Sequence, residues 1–294
     1  MTEPRVSPRV ALGVAVLAVS TSAILVRWSE APSAVAAFYR VLFTTVLVAP
    51  AATLRRPGWH RRLSGRRFAA ATLAGLALAV HFAAWFESLS WTSVAASVTL
   101  VQAQPLFVVA GAALVLDERV TRWTVAGVAV ALAGTVAMSL GDLLSGGAVG
   151  PRPLYGNGLA LLGAVAAAAY VLAGRSLRQR LPLLPYVTVV YAVAAAGLLA
   201  VVLASGHRLA GYAAREWVLF AGMAVGPGIL GHTLVNWSLA HVRSSLVSVT
   251  LLGEPVGSAL LALVLLSEVP GVWTVAGGAV VLVGIVVTAS SRTA

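Results

Sequence analysis

The sequence predicts an all-α integral membrane protein, with ten transmembrane helices arranged as two inverted five-helix repeats. Three observations support this fold class: the composition, the spacing of the apolar runs and the similarity of the two halves of the chain. Of the 294 residues 60% are hydrophobic and 10% are charged, and the mean hydropathy is +0.94. An ordinary globular chain has about 25% charged residues, so the composition is not that of a soluble domain.

Ten apolar runs follow one another along the chain, each about 17–24 residues long, which is the length that a bilayer core requires. A run of this kind can satisfy its backbone hydrogen bonds in lipid only by coiling, so we expect every run to be a helix. The predicted spans are Val10–Val26, Ala34–Leu54, Phe68–Ser90, Val94–Leu116, Trp123–Leu140, Tyr155–Gly174, Leu184–Ala204, Trp217–Ala240, Ser244–Leu266 and Gly271–Ser290.

The arginines predict the orientation of the chain in the membrane. All 20 basic residues are arginine and the net charge is +11, a balance that in a soluble chain would suggest a nucleic-acid partner. The arginines lie almost wholly between the apolar runs, most densely in residues 55–67. The positive-inside rule therefore predicts a multi-pass protein of the plasma or inner membrane, with both termini cytoplasmic, the lipid bilayer as its surroundings and no nucleic-acid partner.

Enzyme and metal chemistry have little support in the sequence. There is no cysteine, which excludes disulfides, a thiolate nucleophile and cysteine metal sites. The chain lacks Gly-x-Ser-x-Gly, His-Glu-x-x-His and paired aspartates at mid-membrane, the patterns that would indicate an intramembrane enzyme. The histidines and carboxylates of the apolar runs show no ligand spacing such as His-x-x-x-His, so we expect neither a metal nor a cofactor.

The two halves of the chain resemble each other in sequence. The pentapeptide Trp123–Gly127 recurs unchanged as Trp273–Gly277, and a glycine-containing polar gap at Gly141–Pro153 separates five runs from five. The predicted repeats are residues 1–145 and residues 146–294. Because each repeat has an odd number of spans, the second must enter the membrane upside down relative to the first.

Two predicted spans carry a polar residue followed by proline near their middle, Gln104-Pro105 in the first half and Glu254-Pro255 in the second. Interrupted helices of this kind mark the binding sites of many transporters. A carboxylate at mid-membrane costs about 2.5–3.5 kcal/mol on insertion scales, so we expect Glu254 to face a cavity, a partner or a proton. The alternative is a neutral glutamic acid that bonds to carbonyl groups freed by Pro255.

Further polar and aromatic residues within the spans are candidates for a substrate site. Arg40 either binds an anionic group or snorkels to the outer surface. His232 and Asn236 are four residues apart and share a helix face. Gln102 and Gln104 point to different helix faces, so we expect at most one of them, Gln104, to line a shared cavity. The alternative for these polar residues is hydrogen bonding between helices. The predicted substrate-binding residues are Gln104, Glu254, Arg40, His81, Trp85, His232, Asn236 and Trp237.

The sequence gives two further expectations, one for the backbone of the eighth span and one for two glutamates at the membrane borders. The Gly226-Pro227-Gly228 cluster should kink or unwind the eighth span. Glu118 and Glu268 occupy equivalent positions at membrane borders, where we expect them to cap or anchor the helix that follows.

The pattern resembles the EamA-type family of the drug/metabolite transporter superfamily over nearly the whole chain. The features that carry the resemblance are the ten spans in two repeats, the proline-kinked fourth span of each repeat, the Phe38-Tyr39-Arg40 opening, and an acidic residue followed by tryptophan and glycine at Glu118…Trp123…Gly127 and Glu268…Trp273…Gly277. In one respect the chain is asymmetric, because Gln104 stands where the second repeat has Glu254.

The resemblance implies a secondary transporter, in most members an exporter of amino acids, nucleobases or other small metabolites, without nucleotide hydrolysis. We expect alternating access, with proton exchange at Glu254 as the possible coupling reaction. The alternative is an uncoupled facilitator or channel for small polar solutes. The residues do not identify the substrate, and both a monomer and a homodimer are compatible with a ten-span chain.

Overall fold

The computed structural model describes residues 6–92, 94–144, 151–267, 269 and 271–290. Within these ranges the chain is helical and no strand occurs. The helices are α1 (Pro8–Trp28), α2 (Ser33–Arg55), α3 (Trp59–Arg62), α4 (Gly65–Trp91), α5 (Val94–Val101), α6 (Gln104–Val115), α7 (Arg122–Leu144), α8 (Pro153–Arg178), α9 (Leu183–Ala204), α10 (Ala214–Met223), the π-helix Ala224–Thr233, α11 (Leu234–Ser238), α12 (Ser244–Leu251), α13 (Glu254–Leu266) and α14 (Val272–Ser290).

The helices confirm the prediction of an all-α membrane protein. Among the described residues, eight segments are long and apolar enough to cross a bilayer. They are Pro8–Val26, Ser33–Arg55, Gly65–Ser88, Ser97–Val115, Pro153–Arg178, Leu183–Ala204, Ala214–Ser238 and Ser244–Leu265. The fifth and tenth predicted spans correspond to the shorter apolar stretches Arg122–Ala137 and Val275–Ser290, which belong to α7 and α14.

Proline residues define where several helices begin. α1, α6, α8 and α13 each carry a proline in the first turn. A proline there costs no hydrogen bond, because the first N–H groups of a helix have no partner within the helix. The Ser64 side chain caps α4 by accepting a hydrogen bond from the Arg67 N–H at 3.4 Å.

Helices from the two halves of the sequence pack against one another. α4 lies along α8, α2 along α9, and α7 along α14. The α7–α14 contact is so close that a Cβ atom added at Gly134 would lie 2.6 Å from the carbonyl oxygen of Gly277, and one at Gly284 would lie 2.4 Å from the Ala131 nitrogen. The halves therefore form one interleaved bundle. The predicted boundary between them falls at residues 145–150, outside the described residues.

Contacts between helix ends show which ends share a face of the bundle. The N–H of Arg152 donates to the carbonyl of Trp91 at 3.1 Å, so α8 begins where α4 ends. A guanidinium N–H of Arg9 donates to the carbonyl of Ala289 at 3.4 Å, so α1 begins where α14 ends. We call the face at which α1 and α4 begin the inner face, since the arginine distribution predicts that it is cytoplasmic, and we call the opposite face the outer face.

Two of the spans are broken, and both breaks occur where the sequence predicts them. α5 gives way to α6 at Gln104, and α12 gives way to α13 at Glu254. In each break the backbone makes a tighter turn, with Ala103 N–H donating to Leu100 O at 3.1 Å and Gly253 N–H donating to Thr250 O at 3.0 Å. The two breaks therefore have the same local geometry, one in each half of the chain.

The Gly226-Pro227-Gly228 cluster widens its helix, whereas the sequence suggested a kink or unwinding. Residues Ala224–Thr233 form a π-helix that continues the span Ala214–Ser238. The Thr44 hydroxyl donates to the carbonyl of Ala224 at 3.2 Å. A Cβ atom at Gly228 would lie 2.2 Å from that hydroxyl oxygen, so the small residue allows α2 to approach and bond to the π-helix.

Glu118 caps a helix of the other half, which corrects the expectation that it anchors α7. Its carboxylate accepts hydrogen bonds from the Ser244 N–H at 3.1 Å and the Ser244 hydroxyl at 2.9 Å, at the start of α12. The cap of α7 is Thr121, whose hydroxyl accepts from the Thr124 N–H at 3.1 Å. The sequence could not indicate a contact between segments so distant along the chain. Glu268, the equivalent position, lies outside the described residues.

Candidate functional site

A cavity of about 330 Å³ lies at the level of the two helix breaks. This volume is at the lower end of the range of small-molecule pockets. Its walls combine apolar side chains with the polar residues Ser22, Arg40, His81, Gln102, Gln104, Tyr170, His232, Glu254 and Ser258 and the aromatic residues Phe82, Trp85 and Phe86. Six of the eight predicted substrate-binding residues are therefore gathered around one cavity: Gln104, Glu254, Arg40, His81, Trp85 and His232.

The helix breaks place Gln104 and Glu254 at the cavity. Each is the first residue of the second part of its broken helix, α6 or α13. α1 holds α13 in place, because the Ser20 hydroxyl donates to the carbonyl of Glu254 at 3.1 Å and the Ser258 hydroxyl donates to the carbonyl of Ser20 at 3.1 Å. A Cβ atom at Gly257 would lie 2.3 Å from the Ser20 hydroxyl oxygen, so this crossing requires glycine.

Gln102 also lines the cavity, which corrects the expectation that only Gln104 does so. The expectation assumed a continuous helix, in which residues two apart point to different faces. The helix is interrupted at Gln102 and Ala103, and the turn brings both amides to the same space. Amide side chains can both donate and accept hydrogen bonds, so the first repeat contributes uncharged polar groups to the site.

Arg40 is a buried cation whose guanidinium reaches the cavity. Its side chain is 5% exposed, one guanidinium N–H donates to the Ser22 hydroxyl at 3.0 Å, and the guanidinium carbon lies 4.9 Å from the centre of the Phe82 ring. A guanidinium carries five N–H donors, and the described residues use one of them. The burial and the bond to α1 argue against snorkelling to the outer surface.

Glu254 faces the same cavity as Arg40. The two charges interact electrostatically, although these two side chains do not form a direct ion pair. No described residue donates a hydrogen bond to the Glu254 carboxylate, whose carboxyl oxygens therefore remain open to cavity contents.

Aromatic and imidazole groups form the wall that α4 presents to the cavity. The Nδ1 atom of His81 lies 2.9 Å from the carbonyl oxygen of Gly163 on α8, and its ring is stacked on Trp85 with the centres 6.1 Å apart. The indole N–H of Trp85 and the Nδ1 atom of His232 are buried and have no hydrogen-bond partner among the described residues. Buried polar atoms normally have a partner, so these two groups are unsatisfied within the described chain.

Asn236 and Trp237 lie outside the cavity wall, in contrast to the prediction. Asn236 is fully buried behind it and donates from its amide to the Tyr170 hydroxyl and to the carbonyl of His232 at 2.8 Å. The ring of Trp237 packs against His241, with the centres 4.3 Å apart. The spacing of His232 and Asn236 correctly indicated a shared face, but spacing does not indicate depth within the bundle.

Several cavity residues had no clear signal in the sequence. Tyr170 and Phe82 are aromatic residues within long apolar runs, where they are as compatible with lipid or core packing as with a binding site. Tyr170 could have been noticed because it follows the alanine run 166–169 and is the polar group of that stretch. Ser22 and Ser258 are small hydroxyl residues that occur on many membrane helices.

The arrangement is suited to holding a small polar solute. It offers a cation, a carboxyl, two amides, imidazole groups and aromatic faces around one cavity. No cluster of three or more histidine, aspartate or glutamate side chains that could bind a metal ion occurs in the part of the chain that the structure describes.

Comparisons with known proteins show which family and which solved structure the chain resembles. The sequence profile of the EamA-like transporter family matches residues 10–140 and again residues 154–290. No protein of curated function matches the sequence. A solved structure, described only as the crystal structure of a protein, superposes with a TM-score of 0.80 and 24% sequence identity, over 97% of this chain and 96% of the other. At this identity the likeness shows the fold.

Proposed function

The chain belongs to the EamA-like transporter family, a family of transporters and not of enzymes, and from this premise we propose that it is a secondary exporter of small metabolites with ten membrane-spanning helices. The observation that carries the proposal is the cavity of about 330 Å³ at the two helix breaks. Alternating access requires a site at mid-membrane between repeats that can rock around it. The α7–α14 pair supplies the two spans that complete ten.

The lining supports amino acids, nucleobases or related solutes as the substrate class. Arg40 can bind an anionic or carbonyl oxygen, Glu254 can accept from an ammonium or amine group, and Gln104 can do either. Phe82 and Trp85 provide flat apolar surfaces for the remainder of such a solute. The volume limits the substrate to a small metabolite.

Proton exchange at Glu254 is the proposed coupling reaction. A carboxyl that takes up a proton at one face of the membrane and releases it at the other links the proton gradient to transport. The Glu254 carboxylate has no hydrogen-bond donor among the described residues, which leaves it open to water in the cavity. The second candidate, an uncoupled facilitator, is favoured by the neutral Gln104 at the equivalent position, which makes half of the pseudo-symmetric site non-ionisable.

Comparative metabolite profiling tests the proposal. Spent medium is analysed from three otherwise identical strains: one that overproduces the protein, one that lacks it and one that overproduces the Arg40→Gln variant. We expect at least one small polar metabolite to accumulate outside the overproducing strain and to fall to the level of the deletion strain in the variant. Identical media, together with unchanged tolerance to toxic amino acid and nucleobase analogues, would contradict export.

A further inference from the structure

Glu118, Arg175 and Ser244 form a polar cluster, here called the inner cluster, that joins three separate elements. The carboxylate of Glu118 accepts a hydrogen bond from Arg175 Nε at 2.7 Å and from the Ser244 hydroxyl at 2.9 Å. Arg175 also donates from its guanidinium to the carbonyl of Leu239 at 3.0 Å. The side chains of Arg175 and Glu118 are 21% and 9% exposed, respectively, so the pair lies at the edge of the protein interior.

The inner cluster ties together the inner ends of both broken helices. Glu118 follows the end of α6, the second part of the first broken helix, and Ser244 is the first residue of α12, the first part of the other. Arg175 lies near the end of α8. Gln179, one turn further on, reinforces the attachment by donating to the carbonyls of Leu239 and Ala240 at 3.2 and 3.1 Å.

The cavity extends from the helix breaks toward the outer face, and on α8 and α11 its lining also reaches Val171 and Val235, one turn from Arg175 and from its acceptor Leu239. On α1 its lining runs from Val19 to Val26, close to the end of the helix at Trp28, and on α4 it runs from Leu78 to Phe86. Both helices end at the outer face, so these stretches belong to their outer halves.

Below the breaks, the elements that lead to the inner cluster are packed. On α12 residues 244–249 are buried, among them Val247 and Val249, which are both 0% exposed. On α6 the residues Val108 and Ala112 are likewise 0% exposed. The structure therefore shows a cavity with a closed floor on the inner side, and the inner cluster lies beneath that floor.

We propose that the inner cluster is the inner gate of the transporter: it keeps the floor of the cavity closed, and it separates when the cavity opens to the inner face. The inference rests on the proposed alternating-access function. The contacts join three separate elements at the inner face, so they cannot all persist when those elements move apart to open the floor of the cavity. Charged groups at the protein edge can be rehydrated when they separate, whereas buried apolar contacts alone would expose their surface to water.

Cysteine accessibility tests the gate without knowledge of the substrate. The chain has no cysteine, so Val171→Cys in the cavity wall of α8 and Val98→Cys in the wall of α5 supply unique thiols. A membrane-impermeant charged maleimide is applied to intact cells and to inside-out vesicles. We expect Glu118→Gln to raise the labelling of Cys at position 171 from the inner face by about tenfold, through a shift toward the inward-open population. Labelling from the outer face should fall.

Matched variants separate a gate from a general loss of structure. Thr121→Ala removes the cap of α7 next to the cluster and should leave both labelling rates unchanged. The exchange Glu118→Arg with Arg175→Glu rebuilds the ion pair but not the bonds to Ser244 and Leu239, so it should restore the labelling pattern only in part. The proposal is overturned if Glu118→Gln leaves labelling unchanged in a protein that remains monodisperse, or if labelling rises equally from both faces. A failed export assay with a shifted labelling pattern would contradict the proposed function alone.

Discussion

Arg40 and Glu254 are the charged side chains of the cavity, and burying each of them costs free energy. An isolated buried charge is strongly unfavourable unless it is paired or hydrogen-bonded, and Arg40 has one such bond, to Ser22, besides its contact with the Phe82 ring. Opposite charges on two sides of one small cavity stabilise each other through the space that a solute would occupy. A dipolar or zwitterionic solute would complete both sets of hydrogen bonds.

Glu254→Gln tests coupling at this position. The substitution keeps the size of the side chain and removes its exchangeable proton, so it should reduce uphill, pH-driven transport at least tenfold while downhill flux persists. The measurement is uptake into proteoliposomes with and without an imposed pH gradient, using the metabolite identified by profiling. The exposed Glu87→Gln is the control and should transport normally. Undiminished uphill transport by Glu254→Gln would exclude Glu254 as the coupling group.

Arg40→Gln tests anion recognition. A hydrogen bond to a charged group contributes about 1.5–3 kcal/mol, so the substitution should weaken substrate binding about tenfold or more. Arg40→Lys keeps the charge but loses the planar guanidinium with its paired donors, so its substrate affinity should be intermediate. The measurement is the substrate concentration dependence of transport in proteoliposomes. Equal apparent affinities in all three proteins would show that Arg40 has a structural role.

At the residue scale, the sequence predicted those site residues whose presence in lipid is energetically unfavourable. Gln104, Glu254 and Arg40 stand out for that reason. Tyr170 and Phe82 do not, because an aromatic side chain in an apolar run is compatible with several environments. Gln102 was misjudged because its direction depends on where the helix breaks.

The two broken helices are the elements on which the site depends. Pro255 has no N–H to donate to the carbonyl four residues earlier, so the helix cannot continue through it unchanged. Both breaks leave a polar residue at the start of the following helix, at the same position of the repeat. The prediction from sequence was accurate here because proline acts through local covalent structure.

Pro255→Ala tests whether the break is required. Alanine restores the missing N–H and allows a continuous helix. The substitution should therefore raise the free energy of unfolding, by up to about 3 kcal/mol if the helix becomes fully continuous. It should also reduce transport. Pro153→Ala is the matched control, because that proline lies in the first turn of α8 and interrupts nothing. The melting temperature in detergent and the transport rate are measured in parallel. Full activity in Pro255→Ala would show that the break is dispensable.

The close contact between helices α7 and α14 predicts how a substitution there changes the stability of the protein. Gly134→Ala places a methyl group against the backbone of α14, which should destabilise the protein by about 1–3 kcal/mol through overpacking. Gly158→Ala on α8 is the control, since a Cβ atom there meets no atom within 4 Å, and removal of a helix glycine should be neutral or slightly stabilising. Thermal unfolding followed by size-exclusion chromatography compares the two. Equal melting temperatures would show that α14 can move away from α7.

Two features at the element scale depended on distant contacts and were not predictable. The π-helix Ala224–Thr233 forms where Thr44 of another helix supplies a hydrogen bond. Glu118 caps α12, a helix of the opposite half. Local propensity indicates that a glycine–proline cluster or a border carboxylate is unusual, but the partner that decides the outcome lies elsewhere in the sequence.

At the scale of the whole molecule, the start of α1 and the end of α14 lie at the same face. Fusions test this topology. Green fluorescent protein attached at either end should fluoresce, because we expect both ends in the cytoplasm, and alkaline phosphatase inserted in the loop between α9 and α10 should be active. Ends on opposite sides of the membrane would contradict the inverted repeat.

The pairing of helices across the two halves was the part of the architecture that the sequence left open. Hydropathy and arginine positions indicate how many runs there are and which way they point, and the recurrence of Trp123–Gly127 as Trp273–Gly277 indicates a repeat. None of these patterns specifies that α4 lies along α8 or α2 along α9. Those contacts depend on the shapes of buried faces, to which small residues contribute, such as Gly163 of α8 where it lies against His81 and Trp85 of α4.

The difference between Gln104 and Glu254 has a thermodynamic consequence for transport by the whole protein. If protons drive transport as proposed, this pair of positions carries one exchangeable proton per turnover and never two. One pH unit across the membrane is worth about 1.4 kcal/mol, or a tenfold concentration ratio. Replacing Gln104 by glutamate would test whether the stoichiometry, and with it the steepest gradient that the protein sustains, can be doubled.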